Sequence, residues 1–168
     1  SWKKLSDWNK PSNVADEIFN SYLNETKKKL ENFNKKTIYL RGTTLEKINE
    51  IEDGELDFSY IDGDHTLKGI TIDLINVFNK TKKNGFISGD DLSQNIFHHP
   101  LEFEPTLVFP FVVYYAQAVN YEVALLPYNQ FLICKNNTYS FNNFTNFYSD
   151  VTLKKQIDHL ISKLNELI

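Results

Sequence analysis

The sequence predicts an α/β fold with a mostly parallel sheet that ends in an antiparallel strand. Two short apolar runs, 56–61 and 85–88, have the composition of buried strands, and a stretch of helical period separates them. Strand, helix and strand in this order are typical of a β-α-β unit with parallel strands. Two later strand-like runs, 122–126 and 130–135, lie close enough in the chain to form a hairpin.

The first elements precede this unit. A helix is expected from a cap at Ser12 or Asn13 to about Asn32, because its apolar residues recur with helical spacing. The run Thr37–Leu40 has the composition of a short strand. Residues 41–44 (Arg-Gly-Thr-Thr) then predict a turn and a cap for a helical segment over 45–51.

The central helix has clear start and stop signals. Thr66 is a typical N-cap, and apolar residues follow it at helical spacing. Asn84-Gly85 predicts a left-handed exit from this helix before the second strand. Farther on, Pro110 is expected in the first turn of a helix that ends near Asn120.

The chain is expected to divide into a domain and an appendage. Residues 1–135 would form one α/β domain that is incomplete at its N-terminal side, and residues 136–168 a connector and a terminal amphipathic helix. We expect this helix to dock on the domain, although the same stripe would suit a homo-oligomer.

Composition excludes several classes of partner. The net charge is −4, and residues 37–104 hold six basic residues against thirteen acids. This acidic middle argues against a nucleic-acid partner and suits a divalent cation.

The longest apolar stretch, 106–115, is too short to span a bilayer, so no membrane partner is expected. The single cysteine, Cys134, fits a reducing compartment, and we expect a cytoplasmic protein.

Acidic side chains follow both strands of the β-α-β unit. The first strand leads into Asp62-Gly63-Asp64-His65 and the second into Gly89-Asp90-Asp91. In open α/β sheets the ligand crevice lies outside the carboxyl ends of parallel strands, so both clusters should face one cavity. The alternative is structural: the first cluster would cap the helix that starts near Thr66, and the second would open a turn.

Other polar residues suggest supporting roles. Asp73 in the central helix is expected to hold that helix against the preceding loop. His98 and His99 could line an acceptor pocket, although adjacent loop histidines are more often plain surface.

Segments 57–65 and 83–91, with Asp73 between them, resemble the class I S-adenosylmethionine-dependent methyltransferases. The likeness is to the branch of sugar and antibiotic O-methyltransferases, and it covers about residues 37–135. The resemblance implies a Rossmann-like sheet and assigns Asp62, Asp90 and Asp91 as ligands of Mg²⁺ or another divalent cation. It also implies catalytic roles for His65, as the base, and for Asp62.

The same resemblance implies contacts with the cofactor S-adenosylmethionine. They fall on the following residues: Trp2, Gly42, Thr43, Thr44 and Asp62.

The N-terminal part of this chain differs from that of the family. The family sheet has the order 3-2-1-4-5-7-6, and neither its first two strands nor its glycine-rich cofactor loop has a counterpart here. The explanations are an upstream half in the natural protein, dimerisation or rearrangement that covers the gap, and an inactive remnant. We favour the first, and we expect this chain alone to bind the cofactor weakly or not at all.

The leading expectation is therefore an S-adenosylmethionine-dependent O-methyltransferase, or its C-terminal portion. It would act, with Mg²⁺ assistance, on a hydroxyl of a sugar or other small metabolite. The alternative is a non-catalytic methyltransferase-like module that assembles through its terminal helix, residues 151–168. A metal-dependent hydrolase is a third option, which no nucleophile motif supports.

Overall fold

A computed structural model describes residues 4, 13–93, 106–136, 161, 162, 165 and 166. The chain forms two compact units, Ser1–Glu50 and Ile51–Ile168, and each is described here by itself. Trp2, His98, His99 and most of the terminal helix expected over 151–168 lie outside the described residues.

The first unit is helical. It contains the helices α1 (Asp16–Lys29) and α2 (Thr44–Lys47), together with the 3₁₀ turns Glu31–Lys36 and Ile48–Glu50. Helix α1 begins after Ala15, which makes no side-chain cap, and buries Phe19 and Leu23. The helix is thus confirmed, but the cap expected at Ser12 or Asn13 is wrong.

The strand expected over Thr37–Leu40 is also wrong. This segment has no strand pairing among the described residues, and Ile38 is 85% exposed. The Thr37 hydroxyl donates instead to the Phe33 carbonyl, at 3.0 Å. Strand-type composition only favours a strand when a neighbouring strand can bond the backbone, and this segment lacks one in the part of the chain described.

The second unit contains a four-stranded sheet with two helices. In chain order its elements are β1 (Leu56–Ile61), α3 (Leu67–Lys80), β2 (Thr81–Gly89), α4 (Val108–Ala118), β3 (Val123–Leu126) and β4 (Gln130–Cys134). The strand order is β1-β2-β4-β3. β1 and β2 pair in parallel, whereas β4 is antiparallel to both of its neighbours. The predicted α/β class is confirmed, with a mixed sheet of one parallel and two antiparallel pairings, in which β1, β2 and β3 point the same way.

Helix α3 starts as predicted and ends differently. The Thr66 side chain accepts from the Gly69 N–H, at 3.1 Å. At the other end, Thr81 is already extended and begins β2, so the left-handed exit at Asn84-Gly85 is wrong. Gly85 instead permits a close approach of two strands, because a Cβ there would lie 2.8 Å from the Asp57 carbonyl oxygen.

One apolar core joins α3 and α4 to the sheet. Its fully buried members are Ile70, Leu74, Ile87, Val112, Val113, Ala116, Val123, Phe131 and Ile133. Pro110 lies in the first turn of α4, and the hairpin turn Pro127–Asn129 joins β3 to β4, both as predicted.

Among the helices of the described residues, none has the length and apolarity needed to cross a bilayer.

A lysine after β4 ties the sheet to the end of α3. Lys135 is 9% exposed, and its Nζ donates to the carbonyls of Phe78 and Thr81, both at 2.6 Å. The ammonium also lies 4.1 Å from the centre of the Phe78 ring. Burial lowers the pKa of Lys135, but the two carbonyls satisfy the charged group.

We expect Lys135→Met to destabilise the protein by about 1–3 kcal/mol, because it leaves the buried Thr81 carbonyl and the partly buried Phe78 carbonyl without this donor. Urea unfolding followed by circular dichroism measures the change. Lys83→Met is the matched control, since Lys83 is exposed. Equal midpoints for the two variants would show that Lys135 does not stabilise the end of α3.

Candidate functional site

The register of the parallel strands places two aspartates side by side. Ile61 of β1 lies opposite Gly89 of β2, so Asp62 and Asp90 are the next residues at the same edge of the sheet. The Asp90 N–H donates to the Ile61 carbonyl, at 3.0 Å, which continues the pairing to the strand ends. The predicted convergence of the two motifs is confirmed for these positions.

Glycine is required where these strands approach each other. A Cβ on Gly89 would lie 2.5 Å from both the Ile61 carbonyl oxygen and the Phe131 ring. No real Cβ tolerates such contacts with a backbone oxygen. Gly89 therefore sets the position of Asp90 next to the end of β1.

His65 contacts the second aspartate of the other motif. Its Nδ1 lies 3.3 Å from Asp91 Oδ2, and the two side chains are only 12% and 22% exposed. The His65 carbonyl accepts from the Leu107 N–H, at 2.9 Å, which fixes the loop against the start of α4. The structure thus brings together one residue from each motif in a mostly enclosed pair.

Asp64 has a structural role. Its two carboxylate oxygens accept from the Thr66 N–H and the Thr66 hydroxyl, both at 3.0 Å, just ahead of α3. Asp64 thus holds Thr66, the N-cap of α3, and is not itself the cap. The loop also lies on the helix closely, since a Cβ on Gly69 would be 2.2 Å from the Asp64 carbonyl oxygen.

Asp73 lies against the same loop. A Cβ on Gly63 would be 2.7 Å from Asp73 Oδ2. This contact agrees with the expectation that Asp73 holds α3 against the loop that carries Asp62 and His65.

The carboxylates at the strand ends repel one another. The pKa of Asp62 is raised by partial burial and by the negative charges of Asp90 and Asp91, while His65 opposes this shift. Burial and the same three carboxylates raise the pKa of the Tyr60 hydroxyl. These groups therefore share one electrostatic environment, which would favour a bound cation.

Tyr60 and Gln130 belong to this region, and sequence reasoning missed both. The Gln130 side-chain amide donates to the Tyr60 hydroxyl, at 3.0 Å. Tyr60 lies two positions before Asp62, so strand alternation places it on the same side of β1 as that residue's position. Nothing local signals Gln130, because 70 positions in the chain separate the two residues.

For the residues expected to bind the cofactor and the metal ion, the structure does not show either role. Thr43 and Glu46 form a capping box at the start of α2, which gives the Gly42-Thr43-Thr44 turn a structural role in the first unit. Within the described residues, no three His, Cys, Asp or Glu side chains are already grouped to hold a metal ion. The assignment of Asp62, Asp90 and Asp91 as metal ligands stays a prediction.

No family model, curated protein or solved structure matches this chain.

We expect Gly89→Ala to destabilise the protein by about 1–3 kcal/mol through overpacking against Ile61 and Phe131. Chemical unfolding measures the loss. Gly63→Ala is the control, because its added methyl group would meet only the tip of the Asp73 side chain. A Gly89 variant as stable as this control would contradict the close approach at the strand ends.

We expect Asp62→Asn to stabilise the protein at pH 7. A pKa raised in the folded state means that ionised Asp62 disfavours folding above that pKa, and that the penalty vanishes below the ordinary value of 3.8. Thermal unfolding of both proteins at pH 7 and near pH 3 measures this difference. A gain of equal size at both pH values would show that the ionisation of Asp62 is not its cause.

Proposed function

We propose that this protein is an S-adenosylmethionine-dependent O-methyltransferase, or the C-terminal portion of one. It would transfer a methyl group to a hydroxyl of a sugar or other small metabolite, with help from Mg²⁺ or another divalent cation. The observation that carries the proposal is the register of β1 and β2, which sets Asp62 beside Asp90. The His65–Asp91 contact at the same edge supplies a proton acceptor for the same site.

The strand order supports this proposal. The described sheet has the order β1-β2-β4-β3, with β4 alone running against the other three strands. The family that the sequence resembles has a sheet ending 4-5-7-6, whose seventh strand is antiparallel. Chain order and strand direction agree with this ending for all four strands. Because folds host many activities, the functional part of the proposal depends on the site.

The acidic side chains fit a hard divalent cation. Oxygen ligands are those that Mg²⁺ prefers, and Asp62, Asp90 and Asp91 would supply them. The raised pKa of Asp62 supports the fit, because a cation would offset the burial and the negative charges of Asp90 and Asp91 that cause it. When bound, Mg²⁺ would lower the pKa of an acceptor hydroxyl.

His65 would act as the general base. It would take the proton of the acceptor hydroxyl while the oxygen attacks the methyl carbon. When bound, S-adenosylmethionine would supply the methyl group, and its sulfur would keep the electron pair of the broken carbon–sulfur bond. The enclosed setting of His65 near the start of α4 fixes the ring for this transfer.

Calorimetric titration with MgCl₂ tests the cation site in the 168-residue chain. We expect binding by the wild type and at least a tenfold loss in the Asp62→Asn, Asp90→Asn double variant, because two ligand charges are removed. The matched control is Asp53→Asn, Asp57→Asn, which removes two exposed acids of the same unit. Equal affinity in both double variants would contradict the cation site.

Titration with S-adenosylmethionine tests the cofactor, using this chain and the same chain extended upstream in its own reading frame. We expect tighter binding by the extended form, followed by methyl transfer that a chelator suppresses. If neither form binds the cofactor and removal of residues 151–168 abolishes a defined oligomer, the non-catalytic interaction module replaces the methyltransferase. Turnover unaffected by chelator would remove the cation from the proposal.

A further inference from the structure

We propose that Asp91 is a positioning residue that holds the neutral His65 imidazole in the tautomer with its proton on Nδ1. The inference deepens the proposed function and rests on it only for the role of His65 as base. It gives Asp91 a second role, toward His65, in addition to the cation-ligand role proposed for it with Asp62 and Asp90.

The position of Asp91 favours one of the two ring nitrogens of His65 as the site of the proton. Asp91 Oδ2 lies 3.3 Å from Nδ1 of His65. An ionised carboxylate only accepts hydrogen bonds, so this neighbour favours a proton on Nδ1. The other ring nitrogen then carries the lone pair, because the hydrogen bond made by one nitrogen sets the state of the other.

Enclosure strengthens this preference. With 12% and 22% of their surfaces exposed, the two side chains interact across a medium less polarisable than water. Bonds between ionised carboxylates and their donors are stronger than neutral ones, which further favours one tautomer. A distance slightly above the optimum is common for catalytic hydrogen bonds in unliganded enzymes.

The backbone around Asp91 holds its side chain in place. Asp91 has φ of 61°, a left-handed conformation that few residues other than glycine adopt. Neighbouring bonds maintain it: the Asp91 N–H donates to Asp90 Oδ1 at 2.8 Å, and the Asp91 carbonyl accepts from the Ser93 N–H at 2.7 Å. Next along the chain, the Leu92 N–H donates to the Asn129 carbonyl, at 2.7 Å.

Such a strained conformation persists when the surroundings fix it, and it is enriched at functional sites. The left-handed Asp91 lies between the end of β2 and Leu92, which bonds to the hairpin turn before β4. This conformation directs the Asp91 carboxylate to His65. The main chain of His65 is fixed as well, because its carbonyl accepts from the Leu107 N–H. Both partners of the contact are therefore anchored by their main chains.

Nitrogen-15 NMR of the histidine rings at alkaline pH, where imidazoles are neutral, tests the proposal directly. His65→Gln identifies the His65 signals among the four histidines. We expect the wild type to show a pyrrole-type shift for Nδ1 and a pyridine-type shift for Nε2. The measurement needs neither cofactor nor cation.

Asp91→Gly is the decisive variant, since glycine tolerates the left-handed backbone while the carboxylate is lost. We expect the two nitrogen shifts to exchange toward the Nε2-protonated form. Asp91→Asn, which keeps the shape and an acceptor oxygen, should change the shifts less. Asp62→Asn is the control for loss of a nearby charge, and it should leave the His65 tautomer unchanged.

The outcomes separate this inference from the proposed function. An unchanged tautomer in Asp91→Gly, or an equal change in Asp62→Asn, overturns the positioning role whatever the activity. A tautomer exchange specific to Asp91→Gly supports it, even if methyl transfer is never observed. In a preparation that transfers methyl groups, Asp91→Gly should also lower kcat at least tenfold, with little change in the KM for S-adenosylmethionine.

Discussion

The register between β1 and β2 is the constraint on which the site depends. Because Ile61 and Gly89 lie opposite each other, Asp62 and Asp90 leave their strands at the same level. A shift of one residue would turn the side chains of one strand to the other face of the sheet. Gly89 enforces the close approach, since any larger residue would collide with Ile61 and Phe131. One glycine thus determines both the packing of the sheet and the spacing of the acids.

This arrangement has an energetic cost that packing elsewhere offsets. Partial burial and the negative charges of Asp90 and Asp91 disfavour the ionised form of Asp62, and the left-handed Asp91 adds backbone strain. The apolar core and the buried Lys135 stabilise the rest of the unit. Local conflict at a site combined with consistency elsewhere is the pattern expected of a functional region.

Sequence patterns predicted the elements that local chemistry determines. The Thr66 cap, the Pro127–Asn129 turn and the extent of β1 follow from residues within a few positions of one another. Thr37–Leu40 has an equally strand-like composition and fails, because pairing requires a partner that composition does not reveal. The contact of Gln130 with Tyr60 was missed for the related reason that only the assembled sheet brings these residues together.

The motif Asp62-Gly63-Asp64-His65 illustrates how one short segment serves both folding and chemistry. Asp64 stabilises the loop ahead of α3 through Thr66, and this use of its oxygens explains why it does not join the strand-end acids. Gly63 and Gly69 let the loop lie close to the helix. With the loop held in this way, His65 meets Asp91 and Asp62 remains at the sheet edge. The two acids of the motif, two positions apart, therefore differ in role because Asp64 bonds to the N-cap of α3, whereas Asp62 lies beside Asp90 at the strand ends.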